Sequence, residues 1–164
     1  MKKNSGRIYI DADVYLNVIL GKKDSNPERF DSSLAVIDKG QRGDYEIIAS
    51  ALIYAEVGCA GRLRSSEVGN AHRLRARTQI KDWFTHSGIQ IVAVDRFVVD
   101  RAIEISHEYG LRSNDAVHLA SAVLTRCSHF FSWNKRDFPM GEDVEGVRVG
   151  EPRVLGQQEF ELGL

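Results

Sequence analysis

Ile8-Tyr9-Ile10 runs straight into Asp11, and the same abrupt change from apolar to acidic or amide side chains recurs far along the chain. Glu56 lies inside the apolar stretch from Ile47 to Ala60, Asp115 opens a run of small apolar residues, and Asn134 and Asp137 follow Phe130-Phe131-Ser132-Trp133. Taking a carboxylate out of water is costly unless a cation or strong donors stand beside it. Polar groups at the edges of separate core segments therefore favour a fold that gathers those edges at one place.

The segments themselves say which fold can do so. Ile8-Tyr9-Ile10, 46–49, 89–94 and 129–133 are short and rich in β-branched or aromatic residues, and each reads as a strand. Between them the spacing predicts helices over 14–20, stopped by Gly21, over 27 to about 39 with Pro27 in its first turn, over 50–59, and over 66 to about 85. Asp95 is placed to cap a helix running to Tyr109 and ended by Gly110, and a further helix is expected over 114–126. Residues 144–149 read as a last strand or edge piece, and the tail from Gly150 looks loosely held. Strands alternating with helices imply an α/β protein with helices on both faces of a mainly parallel sheet of four to five strands. With 164 residues and neither repeat nor linker, one domain is expected over 1–164, its core over about 7–149.

Composition narrows the partners. A formal charge of −1 gives no global nucleic-acid signature, so any such contact must come from local patches. Cys59 and Cys127 lie in apolar surroundings without metal-binding spacing, and both read as buried free thiols of a reducing compartment. The apolar start is broken at once by Asp11 and Asp13, and no stretch is long enough to cross a bilayer, so no membrane contact and a cytoplasmic location are expected.

In parallel α/β sheets, ligands bind at the carboxyl ends of the strands, where Asp11 and Asn134 fall. Asp11 and Asp115 could equally be helix caps, and Asn134 and Asp137 could simply make a turn. Glu56 has Leu52, Ile53, Cys59 and Ala60 as its helical neighbours, so it sits on an apolar stripe and needs either a buried cation or a function. Oxygen donors without clustered Cys or His suit Mg²⁺ or Mn²⁺ better than Zn²⁺.

Four stretches then resemble one family. Ile8-Tyr9-Ile10-Asp11-Ala12-Asp13-Val14 is similar to the opening strand of PIN-domain ribonucleases, and Ser50-Ala51-Leu52-Ile53-Tyr54-Ala55-Glu56-Val57 to their acidic helix. Asn114-Asp115-Ala116-Val117-His118-Leu119-Ala120-Ser121-Ala122 resembles their D-A-x-H-L-A-x-A segment, the most specific of the set. Phe131-Ser132-Trp133-Asn134-Lys135-Arg136-Asp137-Phe138 resembles the closing T-x-N-x-x-D-F form of VapC-type toxins from toxin–antitoxin pairs. The resemblance implies a PIN-like three-layer α/β/α fold and a Mg²⁺- or Mn²⁺-dependent endoribonuclease that leaves a 5′-phosphate. Asp11, Glu56 and Asp115 would hold the metal, and Asn134 would complete the catalytic set. Asp13, Ser132 and Asp137 would support or extend it. A protein antitoxin and a homodimer are also implied, with the helices from Val14 and Pro27 as candidate docking surfaces. Asp13 stands where many members carry Asn or Ser, and Asn134 where others carry Asp.

RNA contacts are expected from Arg112, Lys135 and Arg136, with a further basic stretch at Arg62, Arg64, Arg73, Arg75, Arg77 and Lys81. His118 reads as a packing or hydrogen-bonding residue rather than a catalytic one, and Trp133 as core more than as a platform for a stacked base. Two other readings are a PIN-like binding module without metal and a haloacid-dehalogenase-type phosphatase. The latter rests on Asp11-Ala12-Asp13 but expects Thr or Ser where Tyr15 stands.

Overall fold

β1 (Arg7–Ile10) is paired on both sides, with β2 (Glu46–Ser50) and with β4 (His129–Phe131), and both pairings are parallel in the computed structural model. The structure describes residues 6–24, 26–60, 70–156 and 158–161. β3 (Gln90–Val92) extends the sheet beyond β2, and β6 (Val147–Gly150) and β5 (Asp143–Val144) extend it beyond β4, in the order β3-β2-β1-β4-β6-β5. Only the β5–β6 pair is antiparallel. Six strands form among the described residues, where the sequence suggested four to five. The extra one arises because 144–149 folds as a hairpin rather than a single strand. Glu145 and Gly146 both take positive φ, 53° and 87°, the pattern of a two-residue turn that matches strand twist.

Helices cover both faces. α1 (Ala12–Asp24) packs on α2 (Pro27–Gln41), and α5 (Arg96–Tyr109) packs on α6 (Ser113–Leu124), which in turn lies on β2 and β4. The result is the expected three-layer α/β/α arrangement. α3 (Ala51–Gly58) and α4 (Asn70–His86) follow β2, and the short α7 (Gln158–Glu161) ends the described chain. Central strands sandwiched in this way lose solvent on both faces, which is why Ile8, Tyr9, Ile10, Phe130 and Phe131 read as unbroken apolar runs.

Local signals account for most boundaries. Asn26 accepts from the backbone N–H groups of Glu28 and Arg29, and Asp95 from that of Val98. Gly110 closes α5 in the left-handed conformation, at φ 68° and ψ 27°. Gly21, at φ 76° and ψ 169°, breaks α1 where the stop was expected. β3 is shorter than 89–94. The start of the helix expected from Ser66 falls outside the described residues, as do Arg62, Arg64 and the side chains of Arg73 and Arg75.

Two expectations are corrected. Cys127 is buried but Cys59, just beyond the short α3, is exposed. The described part of the tail is packed rather than loose: Leu155 is buried, and the Phe160 ring lies against Tyr45 and His129.

No described helix is long and apolar enough to cross a membrane.

Candidate functional site

The chain leaves β1, builds outward through β2 to β3, and then returns to place β4 on the other side of β1. Strand order therefore reverses between β1 and β4, and the crevice beyond their carboxyl ends is the favoured place for a ligand. Asp11 is the first residue past β1, and its N–H donates to Phe131 O at the end of β4 (2.9 Å). Ser132 is the first residue past β4, and its hydroxyl reaches back to Asp11 Oδ2 (2.8 Å) and Asp13 Oδ2 (3.3 Å). The Trp133 N–H donates to the same Asp13 oxygen (2.9 Å). Ser132 thus ties the two carboxylates to the sheet edge.

Asp11 does part of a cap's work, since its Oδ1 accepts from Ala12 N at the start of α1 (2.8 Å). Capping leaves the site reading intact, because Asp11 is buried among other acids. Burial raises its pKa, and the Glu56 charge adds to that, while His118, Ser132 and Ala12 oppose it. Asp13 is pushed up to about 7, first by burial and then by the charge on Asp11. Its Oδ1 is buried without a hydrogen-bond partner among the described residues.

Glu56 comes from α3 and meets α6 rather than an arginine. Its Oε1 accepts from Asn114 Nδ2 (3.2 Å) and its Oε2 from His118 Nε2 (2.8 Å). A carboxylate can only accept, so Nε2 carries the proton. His118 Nδ1 then faces the Tyr9 hydroxyl (3.0 Å) and Ser50 Oγ (3.3 Å), and the Tyr9 oxygen accepts from Ser50 N (3.1 Å). Burial by itself would depress the His118 pKa. The Glu56 hydrogen bond and the charges of Asp11 and Asp115 outweigh it, so the net shift is upward. His118 makes the hydrogen bonds that were one of the two roles expected for it, and through them it is part of the site. The missed signal was a histidine within Val117-His118-Leu119-Ala120, a segment that offers it no polar partner of its own.

The structure brings Asp11, Glu56 and His118 together, with one donor atom from each lying within 4.8 Å of the others. Asp115, in the first turn of α6, makes no cap and lies outside that grouping. It still shares the electrostatic field: its pKa is raised by burial first, then by Asp11 and Asp137. Asn134 and Asp137 bond each other across the turn, Nδ2 to Oδ2 at 2.9 Å. That bond, more than Arg136, holds Asp137 below the usual carboxylate range. Among the described residues Asn134 reaches the acidic cluster only through its backbone N–H, which donates to Ser132 Oγ (3.0 Å). Of the expected RNA-contact residues, Lys135 pairs with Glu151 and Arg136 with Asp137, whereas Arg112 is exposed and has no ion pair among the described residues.

Asp11, Asp13, Glu56 and Asp115 thus share one field, which His118 opposes at Asp11 and at Asp115. Carboxylate oxygens in excess, one of them buried and unpartnered, fit a hard divalent cation.

Tyr9→Phe tests the histidine support without touching the acids. The stack of Tyr9 on Phe130, with ring centroids 5.3 Å apart, would survive, but Ser50 N would lose its acceptor and His118 Nδ1 its phenol partner. A loss of about 1–3 kcal/mol in denaturant unfolding is expected. An unchanged midpoint would contradict the assigned network.

The sequence matches the PIN-domain family over residues 8–139, and the chain belongs to that family. Among solved structures, the chain is similar to a toxin–antitoxin complex from Klebsiella pneumoniae, with a TM-score of 0.60, 16% identity and coverage of 85% of this chain and 94% of that one. It is similar to VapBC2 from Rickettsia felis bound to a promoter DNA fragment, with a TM-score of 0.59, 14% identity and coverage of 88% and 98%. A third neighbour is Mycobacterium tuberculosis VapC20, a sarcin–ricin loop cleaving toxin, with a TM-score of 0.56, 13% identity and coverage of 79% and 91%. A search of curated proteins gave no match. Family membership overturns the dehalogenase-type reading, and Tyr15, at the position that reading needs for a phosphate-binding hydroxyl, is fully buried in the core.

Proposed function

We propose that this chain is a divalent-metal-dependent endoribonuclease and the toxin of a toxin–antitoxin pair. The observation that carries the reading is the convergence of Asp11 and Glu56 beside the orphaned Asp13 Oδ1, at the switch point of a PIN fold. Asp11, Glu56 and Asp115 would hold Mg²⁺ or Mn²⁺. Such an ion lowers the pKa of bound water and offsets charge on a scissile phosphate. The chain's own groups do the rest. Ser132 fixes the direction of Asp11, and His118, held by Tyr9, fixes Glu56. Asp13, with a pKa near neutrality, can take up or give up a proton at Oδ1. Asn134 steadies Asp137 at the rim, and Arg112 offers a cation for the strand.

The solved neighbours include toxin–antitoxin complexes, which supports a protein antitoxin as partner. The helix from Pro27 and the outer side of α1 are candidate surfaces for it. A homodimer, a cytoplasmic location and a single domain over 1–164 belong to the same proposal. The first test is incubation of purified chain with RNA in Mn²⁺, Mg²⁺ or chelator. Fragments bearing 5′-phosphates that form only with metal are the expected result. The absence of both metal binding and cleavage would leave the PIN-like binding module without metal instead.

A further inference from the structure

Trp133 has a second neighbourhood that the acidic cluster does not use. Its backbone holds Asp13, while its indole borders a cavity of about 660 Å³ beside β4 and β6. His129 and Phe131 line it from one strand, and Arg148, the register partner of His129, from the next, with Pro152 and Arg153 beyond. The size is that of a small-ligand site.

Three features describe what fits. The first is charge. Glu151, the acid of the lining, is matched by Lys135 (2.8 Å), and Arg153 is held by Glu159 (2.6 Å). Arg148 is exposed and has no ion-pair partner among the described residues, so the cavity keeps a free cation. Arg29 adds positive charge close by, 5.4 Å from the centre of the Trp133 ring. The second is aromatic: Trp133 is the half-buried ring of the lining, on which a nucleobase can stack, whereas Phe131 and His129 are buried. The third is polarity at His129. The Ser128 hydroxyl donates to Arg7 O (3.1 Å), so at 3.0 Å its oxygen accepts from His129 Nδ1, and the proton sits on that nitrogen. Burial and Arg153 keep the ring neutral, with its pKa lowered to about 4. His129 Nε2 is then a bare acceptor, buried and unpartnered among the described residues. A ribose hydroxyl or base amino group is the kind of donor it lacks.

We propose that this cavity is a nucleotide subsite for RNA, holding a base against Trp133 with its phosphate at Arg148. Trp133 links it directly to the acidic cluster, so the nucleotide it takes is one flanking the scissile bond; that placement rests on the nuclease reading above.

The test is binding of a short fluorescein-labelled RNA oligonucleotide to the full chain in chelator, followed by anisotropy, together with photo-cross-linking of a thiouridine-substituted copy. Arg148→Glu, at an exposed position, is expected to weaken binding about tenfold and to make the salt dependence shallower by about 0.7 in log–log slope. Cross-links are expected at Trp133 or Met140. Equal binding by wild type and Arg148→Glu, with cross-links elsewhere, overturns the subsite even if the chain cuts RNA in Mn²⁺. Arg148-dependent binding by a chain that never cuts RNA keeps the subsite and sinks the nuclease reading. Should Arg148→Glu spare RNA binding and weaken a complex with a protein partner instead, the cavity is a peptide groove and the proposal fails.

Discussion

Asp11→Asn is expected to lower RNA cleavage on the order of 10³-fold or more, beyond the 10–100-fold typical of losing a group that only supports a metal ligand. The folded chain should be at least as stable as before. Asp11 is buried, and its raised pKa means that the folded state disfavours its charge. The amide is nearly isosteric and keeps an oxygen for Ala12 N. Its new N–H can donate to Ser132 Oγ, whose single hydrogen would then be free to serve Asp13 alone. Loss of activity without loss of fold is the signature of a functional carboxylate, and a melting curve beside a cleavage assay reads both. Asp115→Asn should behave in the same way, with a smaller change in stability because Asp115 is only half-buried. Full activity in purified Asp11→Asn would remove Asp11 from the metal site.

The second large effect is a reversal of pH dependence by metal. Without metal, the chain should lose stability as pH rises from 6 to 8. Asp13 has a folded-state pKa of about 7, above its unfolded value of 3.8, so its folded form is favoured at low pH and that advantage fades as pH passes through 7. His118 is also shifted upward and acts in the same direction. For one proton the change over this window is about 1.4 kcal/mol, or roughly 3 °C in Tm for a chain of this size. Asp13→Asn should remove most of it. Mn²⁺ needs the carboxylates ionised, so its stabilisation should grow with pH, reaching about 2.7 kcal/mol at a hundredfold excess over Kd. Scanning calorimetry at several pH values, in chelator and in Mn²⁺, separates the two slopes. A metal-free Tm that climbs steadily toward pH 8 would contradict the buried acidic cluster.

Much of this arrangement is written locally. Asn26, Asp95 and Gly110 act on backbone groups a few residues away, so their roles could be read from neighbouring sequence. The central strands were legible because burial on both faces forces every residue to be apolar. Asp11 and Glu56 stood out for the opposite reason, as charges where the pattern demands none. What escaped depends on pairing at a distance. His118 matters because α6 brings it to Glu56, 62 positions away in sequence, and helical periodicity speaks only of its own helix. Asn134 could not be separated from a turn residue by type alone, and its side chain is in fact spent on Asp137. The hairpin at Glu145-Gly146 did carry a local signal, a glycine between two valine-bearing strands, although a non-glycine residue at positive φ disguised it. The packed tail escaped because Leu155 and Phe160 are isolated apolar residues whose partners lie on other elements.

Crystals of the chain soaked in Mn²⁺ and measured at the manganese absorption edge put the matter to a direct test. An anomalous peak in contact with Asp11 and Glu56, absent from Asp11→Asn crystals treated identically, is the predicted result. Strong peaks elsewhere on the molecule, with none at the ends of β1 and β4, would mean that these acids gather for some reason other than a shared cation.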